Sequence, residues 1–294
     1  MNKSERCVGM TITEYAPAKI NLGLKILGKR GDGFHDILSV FQTVTLFDEL
    51  TLESPAVPGL TCSDPSIPAD LTNLVLRAER CFNGMTDNEA DVAFTLTKAI
   101  PMGAGLGGGS ADAAAALRGL MQLHRMPKDE SVMQMCASKL GSDIPFLLHG
   151  GTAVVSGRGE QIIPVKWPFN FIYVIVNPGF GVSTSWAYAN VGIPADDGEG
   201  YKQMTDMLIA GTCTKDAFIN TISNDFEPLL FRTYPDLNYI RGDLFNNGAL
   251  TVFITGSGAS IVGVFDNPSV AEIASMNLDK RSHHVSVVKK HPRI

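Results

Sequence analysis

Residues 101–110, PMGAGLGGGS, place five glycines in seven positions between an alternating apolar stretch and an alanine-rich one. Without Cβ atoms, successive peptide N–H groups can turn toward one ligand. A helix starting at Ser110 adds unpaired N–H groups and the positive end of its dipole. The chemistry this favours is the binding of a di- or triphosphate. The plain alternative is a tight turn with Ser110 as an ordinary helix cap, but such a turn does not require so many glycines. Two known phosphate loops are excluded by their own patterns. Gly103-x-Gly105-x-x-Gly108 formally fits the dinucleotide fingerprint, yet a second helix follows where a strand ending in an acid is required. The lysine of a Walker loop is missing as well, since Ser110 directly follows Gly109. Asp112, in the first turn of the expected helix, suits the dipole but repels a phosphate; Mg²⁺ or an outward rotamer would resolve that.

Four further groups of residues could carry chemistry. Asp143 sits in LGSDIPF, residues 140–146. Alone, it reads as a helix cap, as does Ser142, with Pro145 in the first turn. Lys19 and Asn21 share the polar face of the first strand and read alone as a solvated sheet face. Gly256-Ser-Gly-Ala-Ser260 is either a hairpin turn or a wall beside a ligand. Phe34 and His35 follow a GDG loop and read alone as packing.

The elements that must position these groups follow from periodicity. In residues 15–27, Ala16, Ala18, Ile20, Leu22, Leu24 and Ile26 share one face, and Lys19, Asn21, Gly23 and Lys25 the other. That is a half-buried strand. Residues 28–33 form a loop, and a second strand runs from about Leu38 to Leu52. Residues 55–70 read as loop. Leu71, Leu74, Val75, Ala78 and Phe82 keep helical spacing, and Val92, Phe94 and Leu96 alternate in a strand that ends at Lys98. After the glycine loop, Ala113, Leu117, Leu120, Met121 and His124 mark one helix, and Val132, Met135, Cys136 and Leu140 another. Residues 151–165 form a hairpin. The two prolines in PVKWPFN, 164–170, mark a boundary, giving domains at 1–165 and 166–294. The second half begins with a buried strand at Phe171–Val176, and STSWAYANV reads as helix. The order β…α…ββ…αβ there is compatible with a ferredoxin-like, split-βαβ layout. Residues 193–200 read as an acidic loop.

Composition sets the bounds. The chain has 294 residues, 45% hydrophobic and 18% charged, which suits a folded protein of about two domains. A net charge of −6 argues against nucleic acid as a partner. The longest strongly apolar run is about six residues against the roughly 20 of a membrane helix, so no membrane partner is expected. The opening MNKSERCVGM lacks the apolar core of a signal peptide. Cys7, Cys62, Cys81, Cys136 and Cys213 are scattered, with no CxxC pair, so neither a zinc site nor a disulfide framework is suggested. A cytoplasmic location is the expectation.

Taken together, these pieces resemble one family. PMGAGLGGGSADAAAAL is similar to the glycine loop of the GHMP kinases, and most similar to that of their 4-diphosphocytidyl-2-C-methyl-D-erythritol kinase branch. PAKINLGLKILGKRGDGFHDILSVFQTV, LGSDIPFLLHGGTAVVSGRGE and GSGAS match the same branch in the same order, from about Ala16 to Val264. The resemblance implies an α+β, two-domain fold, with a mixed α/β N-terminal domain like ribosomal protein S5 domain 2 and a ferredoxin-like C-terminal domain. It implies transfer of the γ-phosphoryl group of ATP, with Mg²⁺, to the 2-hydroxyl of a cytidine diphosphate methylerythritol in non-mevalonate isoprenoid synthesis. The family's catalytic pair falls on Lys19 and Asp143. The ATP site runs from Pro101 through Met102, Gly103, Ala104, Gly105, Leu106, Gly107, Gly108, Gly109 and Ser110 to Ala111, with Asn73 and Lys98 beside the adenosine. The cytidine side resembles Asn21, Phe34 and His35, completed by Thr184 and Tyr188. Position 34 is commonly tyrosine in this branch, so a phenolic hydrogen bond is lost while stacking is kept; the 184–188 region matches less well. Ser110 is a candidate for the metal, whose ligands are otherwise unknown, and the assembly is expected to be a monomer or homodimer. Two readings compete: a kinase of this fold with another alcohol substrate, and a non-catalytic nucleotide-binding protein on the same scaffold. Loss of Lys19, Asp143 or the loop glycines would favour the second, and all are present.

Overall fold

The computed structural model describes residues 9–86, 91–126, 130–192, 198–279 and 284–294. Strands β1 (Met10–Lys29) and β2 (His35–Ser54) form a long antiparallel pair. β3 (Gly59–Cys62), β4 (Ala93–Thr97), β5 (Thr152–Gly157) and β6 (Gln161–Pro164) complete a six-stranded sheet in the order β3-β4-β2-β5-β6, with β1 alongside β2. Four helices belong to this half: α1 (Leu74–Thr86), α2 (Gly108–Leu123), α3 (Glu130–Leu140) and α4 (Ile144–His149). The second half holds β7 (Ile172–Asn177), β8 (Thr251–Ile254), β9 (Ile261–Phe265) and β10 (His284–Lys289). Their order is β10-β7-β9-β8 with every neighbouring pair antiparallel, a ferredoxin-like arrangement. Helices α5 (Thr184–Asn190), α6 (Glu199–Ala210), α7 (Lys215–Thr221), α8 (Glu227–Thr233) and α9 (Asp236–Asn246) connect β7 to β8, and α10 (Pro268–Asp279) connects β9 to β10.

The apolar row of β1 runs through three cores in succession. Ala16 packs with α1–α4 and the strand residues facing them, including Leu52, Phe94 and Leu117. Ala18, Ile20 and Leu22 join a second cluster with Tyr173, Tyr201 and Val262 from the second half. Leu24 and Ile26 enter the third cluster, with Val174, Phe226 and Leu244. One strand therefore seats both halves. Its other row is not a solvated face: Lys19, Asn21 and Lys25 are buried, and the Lys25 ammonium pairs with Asp225 at 3.1 Å. The glycine loop covers Lys19 and the second half covers Asn21 and Lys25, which a two-residue alternation cannot reveal.

Other departures have local causes. The stretch expected to be all loop contains β3, which pairs parallel to β4 and puts Leu60 on the core; a four-residue edge strand depends on its neighbour more than on its own pattern. Leu71 precedes α1 and is exposed. Met135 is also exposed, because α3 turns Cys136 and Ala137 inward instead. Residues 199–200 of the expected acidic loop open α6, after Gly198 as its cap, while 193–197 lie outside the described residues. Among the described residues no helix is long and apolar enough to cross a membrane.

Gly23 shows how the halves meet. It lies at a register shift of β1 with φ +86°, and a Cβ there would stand 2.5 Å from Cε2 of Tyr201. The Tyr201 hydroxyl donates to the Leu22 carbonyl at 2.6 Å and accepts from the Val40 N–H at 3.2 Å. Tyr201→Phe keeps the ring but strands both backbone groups in a dry interface. It is expected to lower stability by about 1–3 kcal/mol in denaturant unfolding.

Candidate active site

The glycine loop joins β4 to α2, and its carbonyls are held from three directions. The Lys19 N–H of β1 donates to the Leu106 carbonyl at 2.9 Å. From the second half, the Ser260 N–H donates to Ala104 at 3.3 Å and the Val182 N–H to Gly103 at 3.4 Å. The helix begins at Gly108, two residues earlier than Ser110, after Gly107 as a left-handed cap at φ 71°. Ser110 is therefore in the first turn and is not the cap. The first bond of the helix runs from the Ala111 N–H to the Gly107 carbonyl, so the N–H groups of Gly108, Gly109 and Ser110 have no helical acceptor. Gly105 has φ +77°, and a Cβ on it would stand 2.5 Å from the Thr255 carbonyl oxygen. Residues 255–260 are thus both a turn and the wall against which the loop rests.

Lys19 projects from β1 beneath this loop. A Cβ on Gly107 would stand 3.0 Å from Lys19 Cγ. The ammonium donates to Asn21 Oδ1 at 2.6 Å, lies 3.3 Å from Asp143 Oδ2, and sits 4.5 Å from the centre of the Phe41 ring. Asn21 is fixed in turn by Ser39 and by the Thr255 hydroxyl, which accepts the Asn21 N–H at 2.8 Å. Asp143 occupies the N-cap position of α4, but its side chain makes no cap hydrogen bond. The helix-cap reading is therefore overturned: the carboxylate faces Lys19.

These groups line one cleft of about 960 Å³ between the halves. Lys19, Asn21, Phe34, His35, Asn73, Lys98, Pro101–Ser110, Asp143, Thr184 and Tyr188 all line it. Ala111 does not; it is buried beneath the loop. His35 and Tyr188 stack across the halves at 5.1 Å and 26°. Burial, then the charge of Asp143, pushes the Tyr188 hydroxyl up to about 12. Thr184 exchanges a hydrogen bond with Ser257 at 3.0 Å. Asn73 spends its side chain on the Pro68 carbonyl and the Val75 N–H, capping α1.

Two features are invisible in the motif. Arg158, from the turn between β5 and β6, lays its guanidinium 4.9 Å from the centre of the Phe34 ring; a glycine-rich hairpin turn gives no hint of which strand end it will meet. Lys98 is not a free cation, since its ammonium lies between Asp48 and Asp112. Burial works against the charge on Lys98, but the two carboxylates outweigh it and hold its pKa above the ordinary value. Asp112 lies past the first turn and is buried at the back of the cleft, with Oδ2 on Lys98, so the outward rotamer does not arise. Burial first, then the neighbouring Asp48, pushes its carboxyl up to about 7 against the pull of Lys98.

Residues 73–151 match the GHMP kinases N terminal domain, and residues 215–282 the GHMP kinases C terminal domain. The chain belongs to the GHMP kinases. It is 38% identical over 269 residues to a 4-diphosphocytidyl-2-C-methyl-D-erythritol kinase of Chlorobium phaeobacteroides, covering 90% of this chain and 92% of that one. A kinase of the same name from Bacillus cereus is 34% identical over 262 residues, 88% of this chain and 90% of that one. A crystal structure of 4-(cytidine 5'-diphospho)-2C-methyl-D-erythritol kinase superposes with a TM-score of 0.76 at 30% identity, over 95% of this chain and 100% of that one. A homoserine kinase from Cytophaga hutchinsonii shares the fold at a TM-score of 0.75 and 18% identity, over 96% of this chain and 95% of that one.

The wall at 255–258 has its own anchor. Glu227 in the first turn of α8 accepts the Ile254 N–H at 3.0 Å, and burial pushes its carboxyl from 4.5 up to about 7. A carboxyl raised by folding binds more protons in the native state, so stability falls as pH rises from about 4.5 to about 7. The loss is at most about 3 kcal/mol. Glu227→Gln keeps the acceptor oxygen without the charge, and is expected to flatten that part of a stability–pH curve measured by denaturant unfolding.

Proposed function

We propose that the chain transfers the γ-phosphoryl group of ATP to the 2-hydroxyl of 4-diphosphocytidyl-2-C-methyl-D-erythritol. This is a step of non-mevalonate isoprenoid precursor synthesis. The observation that carries the reading is the Lys19–Asp143 pair at 3.3 Å on the floor of the cleft. It lies with the glycine loop on one side and the His35–Tyr188 stack also lining the cleft. Relatives named for this reaction, matched over nearly the whole chain, support it.

Phosphoryl transfer is mainly positioning and charge stabilisation. The unpaired N–H groups at the start of α2 cradle the phosphates, with Asn73 and Lys98 on the adenosine side. Asp143 aims the substrate hydroxyl or accepts its proton, and Lys19, 3.3 Å from it, faces the charge that develops. Phe34, His35 and Tyr188 receive the pyrimidine, and Asn21 and Thr184 border it. Arg158 lines the cleft beside the ring of Phe34 and offers a cation suited to a substrate diphosphate. Among the described residues no cluster of three His, Cys, Asp or Glu side chains forms a metal cage. Mg²⁺ takes one or two protein oxygens and completes its shell with water and phosphate. The Ser110 hydroxyl and Asp112 Oδ1, buried without a hydrogen-bond partner among the described residues, are the oxygens that fit it. When bound, Mg²⁺ supplies neutralising charge at the β- and γ-phosphate oxygens.

Asp143→Asn keeps the shape and loses charge and basicity. It is expected to cut kcat by about 10²-fold or more while both substrates still bind. Because the side chain caps nothing, any fall in melting temperature reflects the lost ion pair with Lys19 and not a lost helix cap, and kcat is compared in the folded variant. Intact turnover in the folded variant would remove Asp143 from the reaction. Phe34→Ala removes a stacking face worth about 1–3 kcal/mol. Its KM for the cytidine substrate should rise by about tenfold with little change in KM for ATP. Equal changes in both, or in neither, would sink the pyrimidine assignment. The same assay with other alcohols separates this substrate from those of other kinases of the fold.

A further inference from the structure

Asp48 belongs to no motif and does not line the cleft. It lies in β2, opposite Ala16, and its side chain is wholly buried. Its two oxygens reach different places. Oδ1 accepts the N–H groups of Ala99 at 2.6 Å and Ile100 at 2.9 Å, where β4 passes into the glycine loop. Oδ2 takes the ammonium of Lys98, which also donates to Asp112 Oδ2 at 2.8 Å. Asp112 is in α2, beyond the loop. A Cβ on Gly108 would stand 3.3 Å from the same ammonium, so the cation lies directly beneath the first turn.

One buried carboxylate is therefore tied to both ends of the loop, at residues 98–100 before it and at Gly108 and Asp112 after it. We infer that Asp48 is a positioning residue for ATP, setting through Lys98 the separation of the loop's two ends. The inference rests on the reading of the loop as the ATP site. Charge-assisted hydrogen bonds away from water are the strong ones, so this anchor is stiff. A cradle of backbone N–H groups works only when all of them converge, and small misplacements are costly. Asparagine at position 48 can still accept from both backbone N–H groups through its amide oxygen, but it places an NH2 where Oδ2 met the ammonium. It presents no charge to Lys98, whose ammonium then leans toward Asp112 and pulls on the helix without a counterweight at the strand.

The test uses the full chain and titration calorimetry with a non-hydrolysable ATP analogue, alongside steady-state kinetics. Asp48→Asn is expected to weaken analogue binding by about tenfold or more. KM for the alcohol substrate should stay within about twofold, a split that general destabilisation would not produce. Lys98→Met should weaken nucleotide binding too, and the double variant should be no more than about threefold worse than the worse single one, since both act through one unit. Analogue affinity within about twofold of native in folded Asp48→Asn overturns the inference, as do effects of the two substitutions that multiply. If Asp48→Asn does not fold, Asp48→Glu keeps the charge and shifts its oxygens by one methylene; native-like analogue affinity in that variant overturns the inference equally. Gly107→Val separates the two levels. If it leaves analogue binding intact, the loop is not the ATP site. If it abolishes binding while Asp48→Asn does not weaken it, only the role of Asp48 falls.

Discussion

A glycine loop can offer its N–H groups to a ligand only while something else holds its carbonyls. Here three N–H groups do so: Lys19 from the first sheet, and Val182 and Ser260 from the second half. The constraint reaches outward from the loop. β1 must pass beneath it, and the turn at 255–260 must press against Gly105 closely enough that even a methyl group has no room. The second half is in this sense part of the loop's own support. Neither half alone supplies the full set of donors.

The same arrangement disposes of the charges. Lys19 is buried but keeps a carboxylate, an amide oxygen and an aromatic face within reach. Lys98 is placed between two carboxylates behind the loop. Both cations line the cleft, but Lys98 is also tied into the scaffold by its two carboxylates. Buried charges persist when they are paired and hydrogen-bonded, and each pair here spans elements far apart in sequence. Lys19 and Asp143 join β1 to the start of α4, and Asp48, Lys98 and Asp112 join β2, the end of β4 and α2. Electrostatics and topology are coupled, so a shift in one element changes the site.

Much of this was legible in the residues. The glycine run marked the loop between β4 and α2 as one whose N–H groups can converge, and alternation placed Lys19 and Asn21 on one face of a strand. What periodicity could not say was what covers that face. A polar row reads the same whether it meets water or a second domain, so the burial of Lys19, Asn21 and Lys25 had no sequence signal. The position of Asp143 also had two meanings. Its place before Ile-Pro-Phe is that of a cap, and only the approach of β1 turned the carboxylate toward an ammonium.

The sequence by itself determined most of the order of elements, the glycine loop between β4 and α2, the ferredoxin-like second half and the residue types able to carry the chemistry. These depend on contacts between neighbours in the chain, or on patterns with a fixed period. The tertiary structure alone decided which of those residues meet. It stacked His35 on Tyr188 and set Arg158 over Phe34. It committed Lys98 to Asp48 and Asp112 and buried Asp112. Those pairings form only when the two halves close and each charge finds its partner away from water. A charge carries no mark in the sequence of the partner it will find.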